Sequence, residues 1–206
     1  MKLYFFPIAP NPTRVLVYIR EKGICLDEVP VNLREGEQRS PEHLARNPRG
    51  ALPVLETDSG DYITESLPII EYLEELYPRP PMIGDDPLTR AKTRELERLA
   101  ELKLLQPIAR LVHATNSPLG IPPEPLIAER ERSALPAALQ LIDERIGSHP
   151  FAAGERPTIV DCTLFAALQF GEYFGWVLPD EYANLQRWYC AFRQRPSTCL
   201  LYTSPS

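Results

Sequence analysis

Residues 47–78 read NPRGALPVLETDSGDYITESLPIIEYLEELYP, and this run decides the fold. Val54 to Thr57 and Tyr62 to Thr64 are short strand-like stretches separated by Asp58-Ser59-Gly60, which is hairpin turn chemistry. Ser66 then caps a helix that runs through Leu76. The unit is two strands followed by a helix.

Working toward the N-terminus, Ser40 caps a short helix to Arg46 with Pro41 at its first position, and Asp27 to Val31 alternates as a strand. Before them, KLYFF is an apolar strand, and TRVLVYIREK (13–22) sets Val15, Leu16 and Ile19 on one helical face before Gly23 ends the helix. The first 77 residues therefore read βαβ then ββα. Toward the C-terminus, residues 78–87 carry Pro78, Pro80, Pro81 and Pro87, the composition of a stiff linker. Everything beyond is helical in pattern: Leu88 to Thr115, with Leu96, Leu99, Leu102 and Leu105 in phase; Leu126 to Ile146, bent at Pro136; Thr158 to Phe174; and Leu185 to Arg193. The expected fold class is α/β plus all-α, with an α/β domain over 1–77, a linker over 78–87 and an all-helical domain over 88–197. The tail 198–206 follows Arg195-Pro196-Ser197, where a helix should end, and matches no element.

Composition narrows the function. The 206 residues are 44% hydrophobic, enough for a sizeable core, and 22 basic against 28 acidic side chains give a net charge of −6. No basic run offers the footprint of a nucleic-acid binder, and no apolar stretch or leader pattern points to a membrane, so a cytoplasmic protein with neither partner is expected. Cys25, Cys162, Cys190 and Cys199 form no CxxC pair or Cys/His cluster, so reduced thiols and no metal are expected.

Two features of the opening run, Pro53 directly before a strand and Glu65-Ser66 at the mouth of a helix, join the β1-turn-helix unit YFFPIAPNPTRVL (4–16) in resembling the glutathione transferase family. Its members join a thioredoxin-like domain to a helical one. The resemblance covers nearly the whole chain, because Gly154 with Thr158-Ile159-Val160-Asp161 is similar to the cap of that family's core helix; there Thr158 and Asp161 would form a capping box. An X-Pro bond is cis in only about 5% of folded cases, and a strand-start proline is ordinarily trans, so it is the resemblance that implies a cis Leu52-Pro53 bond. Such a kink would turn the Leu52 N–H and C=O outward to pair with the cysteinyl backbone of glutathione, the implied co-substrate. Glu65 is matched to that tripeptide's α-ammonium and Ser66 to its α-carboxylate, although each alone also fits an ordinary helix start. Arg39 is within reach of the glycyl carboxylate and is equally a solvated charge.

The expected hydroxyl is missing. In serine-type members it precedes the valine of an Arg-Val pair by six positions, which in this chain is Ala9. Asn11, two positions on, resembles the residue of certain bacterial members, and two or three N–H groups at the start of the first helix would help it hold a thiolate. His113 resembles a histidine that in other members polarises a water beside the sulfur, but Ala109, one turn earlier, offers no hydroxyl to assist it. Asn11 is preferred, because a donor in the turn needs no second domain to position it. His43 and His149 read as surface residues, and Tyr173, Phe174 and Trp176 as core or as lining of an apolar pocket. The implied activity is glutathione transfer to a small electrophile by a homodimer; a glutathione-dependent disulfide or peroxide reductase and a non-catalytic glutathione-binding scaffold are the alternatives.

Overall fold

A computed structural model describes residues 1–199. Four strands form one mixed sheet in the order β2-β1-β3-β4: β1 (Lys2–Phe5), β2 (Asp27–Pro30), β3 (Val54–Glu56) and β4 (Tyr62–Thr64). β1 runs parallel to β2 with Leu3 opposite Glu28 and antiparallel to β3 with Leu3 opposite Leu55. The period-2 alternation of side chains then separates two faces. Leu3 and Leu55 pack under α1 (Pro10–Lys22) and α3 (Ser66–Leu76) with Val15, Leu16, Ile19, Ile69 and Leu73, while Tyr4, Val31 and Val54 form a small cluster on the other face. α2 (Pro41–Arg46) covers that second face, and the Arg46 guanidinium lies 4.3 Å from the centre of the Tyr4 ring. This is a thioredoxin-like arrangement.

The helical half follows: α4 (Pro87–Ala100), α5 (Gln106–Thr115), α6 (Pro125–Ile146), α7 (Ile159–Tyr173), α8 (Ala183–Phe192) and the short α9 (Pro196–Cys199). α7 is the central helix, buried through almost its whole length from Ile159 to Gly171 and packed against α1, α4 and α5. Its start is closed by the expected capping box, with Thr158 accepting the Val160 N–H and Asp161 accepting the Thr158 N–H at 2.8 Å. Asp161 also accepts from the Ala152 N–H and the Trp188 Nε1–H, both at 2.8 Å, so one buried carboxylate ties three segments together.

Several expectations change in the structure. α1 begins at Pro10 rather than Thr13, because Pro10 and Pro12 occupy first-turn positions whose N–H groups would have no partner in the helix anyway. The single helix expected over Leu88 to Thr115 is broken by a π-helical turn at Glu101–Leu105. Pro107 removes the N–H that would bond one turn back, and the wider turn accommodates its ring. α6, by contrast, runs unbroken through Pro136. The linker is pinned rather than free: Met82 and Ile83 are buried, Glu74 accepts the Met82 N–H at 2.8 Å, and Lys22 donates to Glu74 and to the Pro80 carbonyl, both at 2.7 Å. His43, expected at the surface, is 1% exposed, with Nε2 lying 3.3 Å from the Ala51 carbonyl oxygen. The chain does not end its structure at Ser197. Thr198 is buried and bonds back to the carbonyls of Arg193 and Arg195, while Arg195 and Ser197 both reach Glu21 on α1. The rest of the tail, 200–206, lies outside the described residues.

Candidate active site

β1 hands over to α1 through Phe6 to Ala9, and this turn is held against local preference. Ile8 has φ of 71°, where a β-branched residue pays on the order of 1–3 kcal/mol. Among the described residues the one other non-glycine residue at positive φ is Glu65, with φ of 68°. Both border the same site. The start of α1 offers fewer donors than its sequence promised: with proline at positions 10 and 12, Asn11 alone of the first three helical residues carries an N–H.

The Leu52-Pro53 bond is cis, and neither the N–H nor the C=O of Leu52 enters a hydrogen bond among the described residues. The antiparallel register pairs Val54 with Thr64, so continuing it brings Pro53 opposite Glu65 and Leu52 opposite Ser66. Ser66 is not the N-cap of α3. That position belongs to Glu65, which makes no side-chain cap, and Ser66 is the first helical residue, 1% exposed. Its hydroxyl accepts from Arg14 Nε at 2.7 Å and donates to Asn11 Oδ1 at 3.4 Å, so Asn11 and Ser66 meet directly. Glu65 forms an exposed ion pair with Arg49 at 2.6 Å, a pair weak enough for an incoming ammonium to displace or share. Arg39 lies on the turn before α2, where it donates to the Arg49 carbonyl at 3.4 Å and packs on Gly50.

Arg14 was not singled out in the sequence, yet it joins the two halves. It is 4% exposed and bonds Glu97 at 2.9 Å and Glu101 at 2.8 Å, and Thr163 on α7 donates to Glu97 at 3.1 Å. Burial pushes the Glu97 carboxyl up despite Arg14 beside it, and its Oε2 has no partner. At Glu101 burial also pushes upward, but Arg14 and Arg98 outweigh it and hold the carboxyl down.

A cavity of about 630 Å³ opens between the halves. Its walls are Phe6, Ile8 and Ala9 of the turn, Val31 and Leu33 after β2, and Phe170, Tyr173 and Phe174 of the α7 end. Trp176 instead packs against Gly171. His113 lines this cavity with Ala9; Asn11 does not. Burial lowers the His113 pKa, favouring the neutral ring, and its Nδ1 lies 3.0 Å from Ser117 Oγ. The hydroxyl partner absent at Ala109 is thus supplied one turn later, by Ser117. With Nδ1 occupied, Nε2 is the ring atom left to act as donor or base.

A thioredoxin-like half, a cis proline opposite Glu65-Ser66 and a cleft shared with a helical half agree with what the sequence matches. Residues 3–81 match the family model described as Glutathione S-transferase, N-terminal domain, and residues 111–196 the one described as Glutathione S-transferase, C-terminal domain. The chain belongs to the glutathione transferase family. Glutathione S-transferase 2 of Saccharomyces cerevisiae is 33% identical over 205 residues, covering 96% of this chain and 87% of the relative. Maleylacetoacetate isomerase of Pseudomonas aeruginosa is 31% identical, covering 94% of each. The crystal structure of Gtt2 from Saccharomyces cerevisiae superposes with a TM-score of 0.89 at 32% identity, covering 98% of this chain and 100% of that one. A glutathione transferase-type function follows at the level of the family. Among the described residues no group of three His, Cys, Asp or Glu is placed to hold a metal, and no helix is long and apolar enough to cross a membrane.

Proposed function

We propose that this glutathione transferase binds glutathione along Leu52-Pro53 and Glu65-Ser66, ionises its thiol and adds it to a small apolar electrophile in the cavity. One observation carries the reading: the zwitterion-matched pair Glu65-Ser66 stands opposite the cis Leu52-Pro53 bond at the edge of a cavity that His113 and the Ala9 turn line together. Leu52 supplies backbone pairing for the cysteinyl residue, Ser66 a hydroxyl for the α-carboxylate, Glu65 a carboxylate for the ammonium, and Arg39 is the candidate for the glycyl carboxylate.

The ionisation asked of the site is modest. Lowering a thiol from pKa ~8.5 to ~6.5 takes it from ~3% to ~75% thiolate at pH 7 and requires about 2.7 kcal/mol. Asn11 and His113 both remain candidates for this role, and the contacts weigh toward His113: Asn11 Oδ1 is engaged with Ser66, whereas His113 faces the cavity with Nε2 uncommitted. A water held by Nε2 beside the sulfur would accept the thiol proton. The chain is expected to act in the cytoplasm as a two-fold homodimer.

The test is capture on immobilised glutathione followed by assays with an activated aryl halide and with a mixed disulfide. Conjugation of the halide supports the transferase reading. Disulfide reduction alone would replace it with the reductase, and capture with neither activity with a glutathione-binding protein that lacks turnover.

A further inference from the structure

The cavity is apolar along most of its wall, but the loop after β2 contributes three polar residues, Asn32, Arg34 and Glu37. Two of them are spent on the loop itself. Glu37 accepts the Asn32 N–H at 2.6 Å, and Asn32 Oδ1 accepts the Arg34 N–H at 3.0 Å. Backbone bonds from Glu37 N to Asn32 O at 3.1 Å and from Gly36 N to Leu33 O at 3.3 Å close the same turn, with Gly36 at φ of 77° supplying the left-handed corner. The loop is therefore cross-tied, and the base of the Arg34 side chain is fixed at the cavity wall. Its guanidinium enters no ion pair or hydrogen bond among the described residues. The other cationic candidate on the wall, His113, is biased by burial toward its neutral form. An otherwise apolar pocket with one uncommitted guanidinium selects ligands by charge, because the planar fork of arginine matches a carboxylate or similar oxyanion.

We propose that the second substrate is an apolar electrophile bearing an anionic group, most simply a carboxylate, which Arg34 recognises. This deepens the transferase reading and rests on it. For an aryl chloride the step balances simply: the glutathione thiolate forms the C–S bond, chloride departs with the electron pair of the C–Cl bond, and the thiol proton passes to solvent.

A matched pair of ligands tests this, namely the glutathione conjugates expected from 4-chloro-3-nitrobenzoate and 4-chloro-3-nitrobenzamide, which differ in charge at one ring position. Calorimetry should give the carboxylate conjugate about tenfold tighter binding than the amide, the lower range for a charge-assisted contact at an exposed side chain. In Arg34→Gln the two should bind within about twofold of each other, and Arg34→Glu should invert the order. Equal binding of the pair by the unaltered protein would overturn the proposal. So would an Arg34→Gln variant that loses affinity for glutathione itself, since Arg34 would then belong to the tripeptide site. Turnover of the two aryl chlorides, each corrected for its uncatalysed rate, is read separately. Discrimination in binding without conjugation of either would sink the transferase reading and leave the charge recognition standing.

Discussion

At Ser66 a single hydroxyl has two duties, and they can be measured apart. It accepts from the buried Arg14 Nε–H and is the proposed donor to the glutathione carboxylate. Ser66→Ala should weaken glutathione binding by ~1.5–3 kcal/mol by calorimetry and lower folding stability by ~1–3 kcal/mol in denaturant, because Arg14 keeps a buried donor without an acceptor. Unchanged affinity would remove the clamp from the proposed function. For thiol ionisation, His113→Ala should raise the pKa of bound glutathione, followed by thiolate absorbance, by about one unit or more, and Asn11→Ala by clearly less. The reverse order would return the role to Asn11. Burial sets the sign of the pH dependence: His113 lies below the ordinary value of 6.5, so its neutral form contributes stability above the unfolded value that is lost as pH falls through the folded one. The acid limb of kcat/KM that depends on His113 should accordingly lie below pH 6.5, and a limb above it would count against a neutral His113 as the acting group.

Among the elements, α7 is the one whose start is most strongly specified. Asp161 accepts from the Ala152 and Thr158 N–H groups and from Trp188 Nε1, and all of these donors lose their acceptor in Asp161→Ala. That variant should lose on the order of 3–5 kcal/mol of folding stability, whereas Thr158→Ala, which removes only the cap oxygen, should lose about 1 kcal/mol. Similar losses from the two variants in chemical denaturation would mean that Asp161 is no more than a capping residue. The helix carries Phe170 and Thr163, one at the cavity and one bonded to Glu97, so its position bears on the site as well as the core.

At the scale of the whole molecule, exposed apolar residues flank the pinned linker. Leu76 is 49% exposed, Tyr77 40% and Leu88 67%. Their exposure supports the expected homodimer, since a second copy would remove that area from water. Light scattering at micromolar concentration should give twice the chain mass, and Leu88→Glu combined with Tyr77→Glu should return the monomer; a monomeric unaltered protein would refute the assembly.

The elements of the first half were legible because their signals are local. Ser40 with Pro41, Gly23, the Asp58-Ser59-Gly60 turn and the Thr158/Asp161 box each act within a few residues, and their chemistry needs no distant partner. Glu65-Ser66 and Pro53 were readable as a resemblance, which placed them near each other. What only the tertiary structure decided was every property that depends on a contact far along the chain. Ser66 looked like a cap until Arg14 and Asn11 reached its hydroxyl, His43 looked exposed until the chain near Ala51 closed over it, and His113 lacked a hydroxyl until the turn after α5 brought Ser117 to its Nδ1. Residue order determines propensity and turn chemistry through local sterics and hydrogen bonding. Burial, protonation and the direction a polar atom faces are set by neighbours that the fold alone assembles.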